Sequence, residues 1–196
     1  IYLLSMRHKC RIFQNMSVQE IIEQIFEEAG IQSDCYRFAL KWDHLVREYC
    51  VQYRESELNF ISRLMEEEGI FYFFEHDDEK HVMVMADNLD VHVPIENPNI
   101  VFNEASGMVP EQESIYEYSF IQQIRPSVVS LRDFNFEQPS LGGMDVMALA
   151  GEEAPYYEGD LEIYDYPGDY YKQDIGSDIA QIKLELLRHN RKIASG

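Results

Sequence analysis

One stretch decides the fold of this 196-residue chain: residues 47–76 read REYCVQYRESELNFISRLMEEEGIFYFFEH. Residues 47–53 alternate apolar and polar side chains, a period typical of a half-buried strand. Ser56 then begins a predicted helix that ends at Gly69. The continuous apolar run Ile70–Phe74 that follows predicts a second strand. The stretch therefore predicts a strand, a helix and a strand in direct succession.

The helix inside this stretch has an unusual last turn. Its expected buried face is formed by Leu58, Ile61, Leu64 and Met65. Glu66–Glu68 add three negative charges where the helix dipole is already negative, at a cost of about 0.3–1 kcal/mol per charge at an exposed end.

Basic side chains are therefore expected near this turn, from the same chain or a neighbouring subunit. The candidates are Arg47, Arg54 and Arg63, with Arg63 on the outward side of the helix. A solvated acidic face without partners is the alternative interpretation.

The flanking sequence extends the pattern in both directions. His81–Met85 alternates as a strand, so the turn from His76 to Lys80 predicts a hairpin. Upstream, Val18–Ala29 carries an apolar stripe at helical spacing. Ser17 and Glu20 fit a capping box at its start, and Gly30 fits a C-terminal cap.

The second half of the chain differs in character. Residues 87–110 contain three prolines and several asparagines, which indicates an irregular connection and a boundary. Ile115–Ile124 and Ser127–Phe136 predict two long strands, and Asp178–His189 predicts a helix. Its apolar face is expected to comprise Ile179, Ile182 and Leu186. We therefore expect an α+β protein with a mixed α/β subdomain over residues 1–112 and a second subdomain over 113–196.

Residues 145–178 form an acidic segment interleaved with tyrosines. The segment contains ten acidic residues and one basic residue, Lys172. Taken alone, this composition could be mistaken for a carbohydrate or cation site.

Composition excludes several classes of function. The chain has 16 Lys and Arg against 36 Asp and Glu, a formal charge of -20. Sequence-independent nucleic-acid binding needs the basic side chains that are scarce here. No apolar run approaches the roughly 20 residues that span a bilayer, so a soluble protein is expected. The chain begins with Ile1 and no leader follows, which indicates a segment of a longer polypeptide.

Catalytic motifs are absent from the sequence. It contains neither the G-x-S-x-G turn of serine hydrolases nor a glycine-rich phosphate loop. The three cysteines fit neither a disulfide framework nor a CxxC pair. Cys50 fits a strand core better than a nucleophile paired with His44 or His76. Trp42 is interpreted as a packing anchor.

A metal site at the hairpin is also not expected. His76 and His81 flank an acidic turn, but zinc would need both on one face with a third ligand. We expect their separation across the turn to prevent this. No catalytic, cofactor-binding or metal-binding residue is assigned, and no cofactor is expected.

The stretch 47–76 resembles the signature of the VgrG family, the spike proteins of bacterial type VI secretion, whose first half is similar to phage baseplate hubs. Further agreement lies in residues 11–14 with 17–18, in 82–87, in 131–134 with 139–140, and in 162–168. The resemblance covers nearly the whole chain. It implies a phage-hub-like fold in which residues 1–112 are an α/β insertion. Residues 113–196 would then hold part of a second antiparallel β-barrel-like tube domain plus a terminal helix.

The resemblance also implies a structural role rather than catalysis. Family members form homotrimers that cap the hexameric Hcp tube, contact baseplate components and deliver effectors by contraction. The PAAR protein and effectors would bind through C-terminal parts beyond this chain. The protein would reside in the bacterial cytoplasm before firing and then be ejected into a target cell or the medium.

Two further expectations accompany this interpretation. Some carboxylates of Glu66–Glu68 or Asp160–Asp169 are expected to pair with arginines across the trimer. A contractile phage tail hub is the alternative in the same class, and a glycan-binding module that uses the tyrosine segment is the alternative from another.

Overall fold

The computed structural model describes residues 1–94, 99–103, 114–137, 139, 144–151, 155–159 and 161–196. The chain divides into two compact units, Ile1–Val93 and Pro94–Gly196. This division lies inside the irregular connection predicted over residues 87–110. The sequence-based boundary at residue 112 lies outside the described residues.

The first unit combines two helices with two small sheets. The helices are α1 (Val18–Ala29) and α2 (Glu57–Glu67), and short 3-10 helices cover Tyr2–Met6 and Leu89–Val91. The strands are β1 (His8–Phe13), β2 (Tyr36–Ala39), β3 (Cys50–Ser56), β4 (Phe71–His76) and β5 (His81–Ala86). β1 pairs antiparallel with β3. β5 lies between β2, which is parallel to it, and β4, which is antiparallel.

Helix α1 matches its predicted bounds because all of its signals are local. The Ser17 hydroxyl accepts a hydrogen bond from the Glu20 amide at 3.3 Å, and the Glu20 carboxylate accepts one from the Ser17 amide at 2.7 Å. Gly30 takes the left-handed conformation, φ 76°, that ends the helix. The buried residues are Val18, Ile21, Ile22, Ile25 and Phe26.

Helix α2 confirms the predicted element and corrects its buried face. Ser56 caps the helix by accepting a hydrogen bond from the Asn59 amide at 3.1 Å. Leu58, predicted to be buried, is only partly covered, whereas Phe60 and the first-turn Glu57 are fully buried. Leu58 packs against the core at its edge, and the predicted face omitted Phe60 and Glu57.

The second unit contains one helix and seven described strands. The helix is α3 (Gln173–Arg188), and a short 3-10 helix covers Tyr156–Glu158. The strands are β6 (Val101–Phe102), β7 (Ser114–Ile115), β8 (Ser119–Gln122), β9 (Val128–Asp133), β10 (Met144–Leu149), β11 (Glu162–Asp165) and β12 (Lys192–Ser195). The α+β class is thus confirmed.

Three open sheets organise these strands. β9 lies between antiparallel β10 and parallel β11, β12 pairs antiparallel with β8, and β6 pairs parallel with β7. Among the described residues these sheets form no closed barrel. The strand predicted over 115–124 is divided between β7 and β8.

Helix α3 begins five residues earlier than predicted and uses another face. It buries Gly176, Ala180 and Leu184, whereas Leu186 is exposed. A Cβ atom added at Gly176 would lie 2.6 Å from the Tyr170 ring. Of the predicted face, Ile179 packs against this core, whereas Leu186 was wrong. The helix approaches the tyrosine and the sheet through its small residues, which a search for large apolar side chains overlooks.

Candidate assembly surface

The β1–β3 ribbon of the first unit has one buried face and one apolar face turned to solvent. Cys50 and Gln52 on β3 are buried, while the alternate residues Val51 and Tyr53 are 38% and 63% exposed. Ile12 lies directly opposite Val51 in the register and is 54% exposed. These three side chains form what we call the ribbon face.

Behind the ribbon face, a charge cluster holds β1 in place. The Glu57 carboxylate is fully buried at the start of α2. It accepts a hydrogen bond from Arg7 Nε at 2.5 Å, and Lys9 Nζ and Arg11 Nη2 each lie 3.2 Å from Glu57 Oε1. A buried carboxylate is tolerated only with such partners, and its position in the first helical turn also suits the helix dipole.

A second carboxylate, Glu28 near the end of α1, completes the cluster. Lys9 donates a 2.7 Å hydrogen bond to it, and Arg11 is also bonded to it. The Lys9 hydrogen bond, with help from Arg11 and Gln24, outweighs partial burial and lowers the pKa of Glu28 to about 2. The cluster therefore ties β1 to both helices.

Sequence reasoning missed this cluster, although a signal was present. Arg7, Lys9 and Arg11 recur with the period of two that places them on one strand face. Three bases on the inward face of a strand require buried acids opposite them.

The second ion-pair network confirms most of the expectation for the acidic end of α2. Arg47 donates to Glu67 at 2.6 Å and to Glu68 at 2.7 Å. Arg63 donates to Glu67 at 2.9 Å. Arg54 was wrongly included, because its guanidinium instead lies 5.2 Å from the centre of the Tyr53 ring.

These pairs lie within one chain. Glu67 and Glu68 therefore have arginine partners without a neighbouring subunit, and pairing of other carboxylates of Glu66–Glu68 or Asp160–Asp169 across a trimer stays a prediction.

His44 links this network to the loop that precedes the ribbon. Its Nδ1 lies 2.9 Å from Glu68 and its Nε2 lies 3.3 Å from Asp87. The hydrogen bond with Glu68 raises the pKa of His44, despite opposing desolvation. Desolvation would raise the pKa of Glu68, but hydrogen bonds from His44 and Arg47 outweigh it and lower that pKa. The network is therefore strongest with His44 protonated.

Trp42 corrects another expectation. Asp87 accepts hydrogen bonds from the backbone amides of Lys41 and Trp42 at 2.8 and 2.9 Å, so the loop backbone is fixed. The indole is nevertheless 63% exposed and lies near the Lys41 ammonium. Trp42 is not a packing anchor, because the loop is held by its amides rather than by its ring.

Cys50 lies in the strand core, as predicted. It is 6% exposed, and burial raises the pKa of its thiol. Both nitrogens of His44 contact carboxylates instead. This arrangement provides no activated thiolate.

His76 and His81 contradict the geometry expected for them. They form the last register pair of the β4–β5 hairpin, and their rings lie 4.6 Å apart with the two Nδ1 atoms in contact. The prediction was wrong because direct pairing across the turn places both imidazoles on one face. Across the described parts of the chain, no group of three or more His, Cys, Asp or Glu side chains converges as metal ligands.

The acidic, tyrosine-rich segment separates into exposed and buried parts. Tyr157, Tyr164, Tyr166 and Tyr171 are exposed, and Tyr170 is buried. Asp160 and the side chain of Tyr156 lie outside the described residues.

Three described acids of this segment have ion pairs within the chain, and one of them, Asp145, lies 3.5 Å from Arg132 Nε. Glu158 is buried and accepts hydrogen bonds from Arg188 at 3.0 Å and from Arg191 at 3.2 Å. Asp165 accepts one from Lys183 at 3.2 Å. Part of the acidic charge therefore stabilises the second unit.

The described helices include none long and apolar enough to cross a membrane.

A family model described as the phage tail baseplate hub matches residues 1–196. The chain belongs to the phage tail baseplate hub family.

Relatives of this hub chain carry the name predicted from residues 47–76. It is 38% identical over 193 residues to the type VI secretion system spike protein VgrG4b of Pseudomonas aeruginosa, covering 98% of this chain and 24% of that protein. It is 36% identical to the actin cross-linking toxin VgrG1 of Vibrio cholerae, covering 98% of this chain and 17% of that protein. The chain thus spans about a quarter or less of these relatives.

Solved structures agree with the hub fold. An Escherichia coli protein, c3393, is described as a type VI secretion component with structural similarity to the T4 phage tail proteins gp27 and gp5. It matches with a TM-score of 0.52 at 25% identity over 63% of this chain and 32% of that one. A 43 kDa tail protein of prophage MuSo2 from Shewanella oneidensis matches with a TM-score of 0.54 at 11% identity over 93% of this chain and 50% of that one. The second likeness shows the fold alone.

Proposed function

We propose that this chain is a structural hub component of a type VI secretion spike. The observation that carries the proposal is the hub-family match over the whole chain together with 38% identity to a named spike protein. The exposed ribbon face and the absence of an activated nucleophile around Cys50 support an assembly role over a catalytic one. The same reasoning favours ejection of the protein with the spike.

The finer organisation is part of the same proposal. Three copies form the hub, and the hub caps one end of an Hcp tube. Residues 1–112 serve as the α/β insertion, and residues 113–196 contribute strands to the second tube domain. The ribbon β8–β12 supports this assignment, because all of its residues are exposed in the single chain and need neighbours to cover them.

Within the trimer, the ribbon face contacts a second copy of the chain. Its three apolar side chains lie on strands that the charge cluster fixes from behind, so little side-chain or backbone order is lost on docking. A rigid apolar patch that includes a tyrosine is typical of the energetically important part of an interface.

Light scattering on the full-length protein that contains this chain tests the proposal. The expected mass is three times that of the protomer, and a protomer mass at all concentrations would overturn it. Val51→Asp should weaken the trimer because it places a charge on the ribbon face. Leu89→Asp, on an exposed 3-10 helix of the same unit, is the matched control and should leave the mass unchanged.

A secretion assay distinguishes the two kinds of contractile machine. Release of the full-length protein into the medium should require an intact type VI sheath and the Hcp tube. Release only with phage particles would identify a phage tail hub instead.

A further inference from the structure

The closed end of the β4–β5 hairpin carries a pair of histidines that lie outside the ribbon face. His76 is the last residue of β4 and His81 the first of β5, and the register places them directly opposite each other. Both side chains are exposed. An ion from solvent can therefore reach them.

The turn between them fixes the backbone of both residues. The Asp77 amide donates to the Lys80 carbonyl at 3.0 Å, and the Asp77 carboxylate accepts hydrogen bonds from the amides of Glu79 and Lys80, each at 2.8 Å. The Phe74 ring stacks beside the His76 imidazole, 6.2 Å between ring centres. The backbone of the turn therefore holds the two imidazoles side by side.

The donor atoms of the two rings converge. Nδ1 of His76 and Nδ1 of His81 face each other in direct contact. In this contact the Nδ1–H of one neutral imidazole donates to the Nδ1 lone pair of the other. A metal ion can bind both rings once the donor ring moves its proton, through water, from Nδ1 to Nε2, because each neutral ring then offers an Nδ1 lone pair. Zinc–nitrogen bonds of about 2.0–2.1 Å at a tetrahedral angle require the two nitrogens to be roughly 3.3 Å apart, which a small rotation of exposed rings provides.

The surrounding charge favours a cation. Asp77, Asp78 and Glu79 form the turn, against one base, Lys80, whose ammonium lies 3.9 Å from Asp34. We propose that His76 and His81 form a two-nitrogen site for a late first-row divalent metal ion, with Cu²⁺ bound more tightly than Ni²⁺ or Zn²⁺. Water fills the remaining coordination positions.

Titration calorimetry of the 196-residue chain with Cu²⁺, Ni²⁺ and Zn²⁺ at neutral pH tests this site. We expect one ion per chain, and His76→Gln or His81→Gln should each weaken binding by roughly tenfold or more, because the second ligand then no longer binds intramolecularly. His8→Gln is the matched control: this histidine is exposed on β1 and should leave the affinity unchanged.

Electron paramagnetic resonance of the Cu²⁺ complex provides a second readout. Two nitrogen ligands are expected in the wild type and one in each hairpin variant. Absence of saturable binding in the wild type, or unchanged binding in His76→Gln and His81→Gln, would overturn the proposal. These results do not depend on oligomeric state, so they are separable from failure of the hub assignment.

Discussion

Replacing Glu57 with glutamine should destabilise the first unit more than any other single charge removal on α2. The side chain keeps its shape but loses the charge that three bases share. Arg7, Lys9 and Arg11 would then point at a neutral amide in a fully buried position. Glu28 could still hold two of them.

The magnitude follows from the exposure of these partners. Removing one member of a fully buried pair costs about 3–5 kcal/mol. The three basic side chains are 34%, 37% and 17% exposed, so water compensates part of the loss. We expect a loss of about 2–3 kcal/mol in the free energy of unfolding, or roughly 10–20 °C in the melting temperature of a unit of this size.

Urea unfolding followed by tryptophan fluorescence measures the effect in the correct unit, because Trp42 is the only tryptophan and lies in the first one. Glu66→Gln is the matched control, since Glu66 is exposed on the same helix and forms no ion pair within the described part of the chain. It should change stability by no more than about 0.5 kcal/mol. Equal effects of the two substitutions would refute the reasoning.

Three further outcomes follow from the structure. Glu158→Gln should destabilise the second unit, because burial would raise the pKa of this carboxyl but its arginine partners lower it on balance. The stability advantage of the wild type should be present above the usual pKa of about 4.5 and be lost as pH falls through the folded-state pKa, which melting curves by circular dichroism would show. The hydrogen bond to Glu68 raises the pKa of the His44 imidazole. His44→Gln should therefore lower the free energy of unfolding most below about pH 6.5, and progressively less as pH rises through the folded-state pKa. A loss of stability that does not depend on pH would contradict this. Gly176→Ala should lower the free energy of unfolding by about 1–2 kcal/mol because its Cβ would meet a buried tyrosine ring, whereas Gly151→Ala, with no atom within 4 Å of the new Cβ, should be near neutral in the same denaturation assay.

The elements that could be predicted are those whose signals lie close together in the chain. Helix α1 carries its capping box, apolar stripe and terminal glycine within 14 residues, Ser17 to Gly30. The hairpin β4–β5 likewise follows from two apolar strands and a polar turn. In these elements the local preferences of the sequence agree with the tertiary structure, so packing does not change their type or bounds.

Features that depend on distant partners were missed or misassigned. The burial of Glu57 requires Arg7, Lys9 and Arg11, which lie about 50 residues away in sequence, so the local pattern alone favours an exposed acid. The buried face of α3 includes Gly176 and Ala180, because these small residues let the helix pack closely against the Tyr170 ring and the sheet. The imidazoles of His76 and His81 face each other only in the observed register of β4 and β5, because a shift of one residue would move one strand's side chains to the other face.

The most direct test of the hub account is binding of the full-length protein to preformed Hcp tubes. A cap binds only at tube ends, so the amount bound should rise in proportion to the number of ends when a fixed mass of tube is sheared into shorter pieces. The Val51→Asp variant should bind less than wild type if trimer formation precedes capping. Binding that follows tube mass and ignores the number of ends, or no binding at all, would contradict the account.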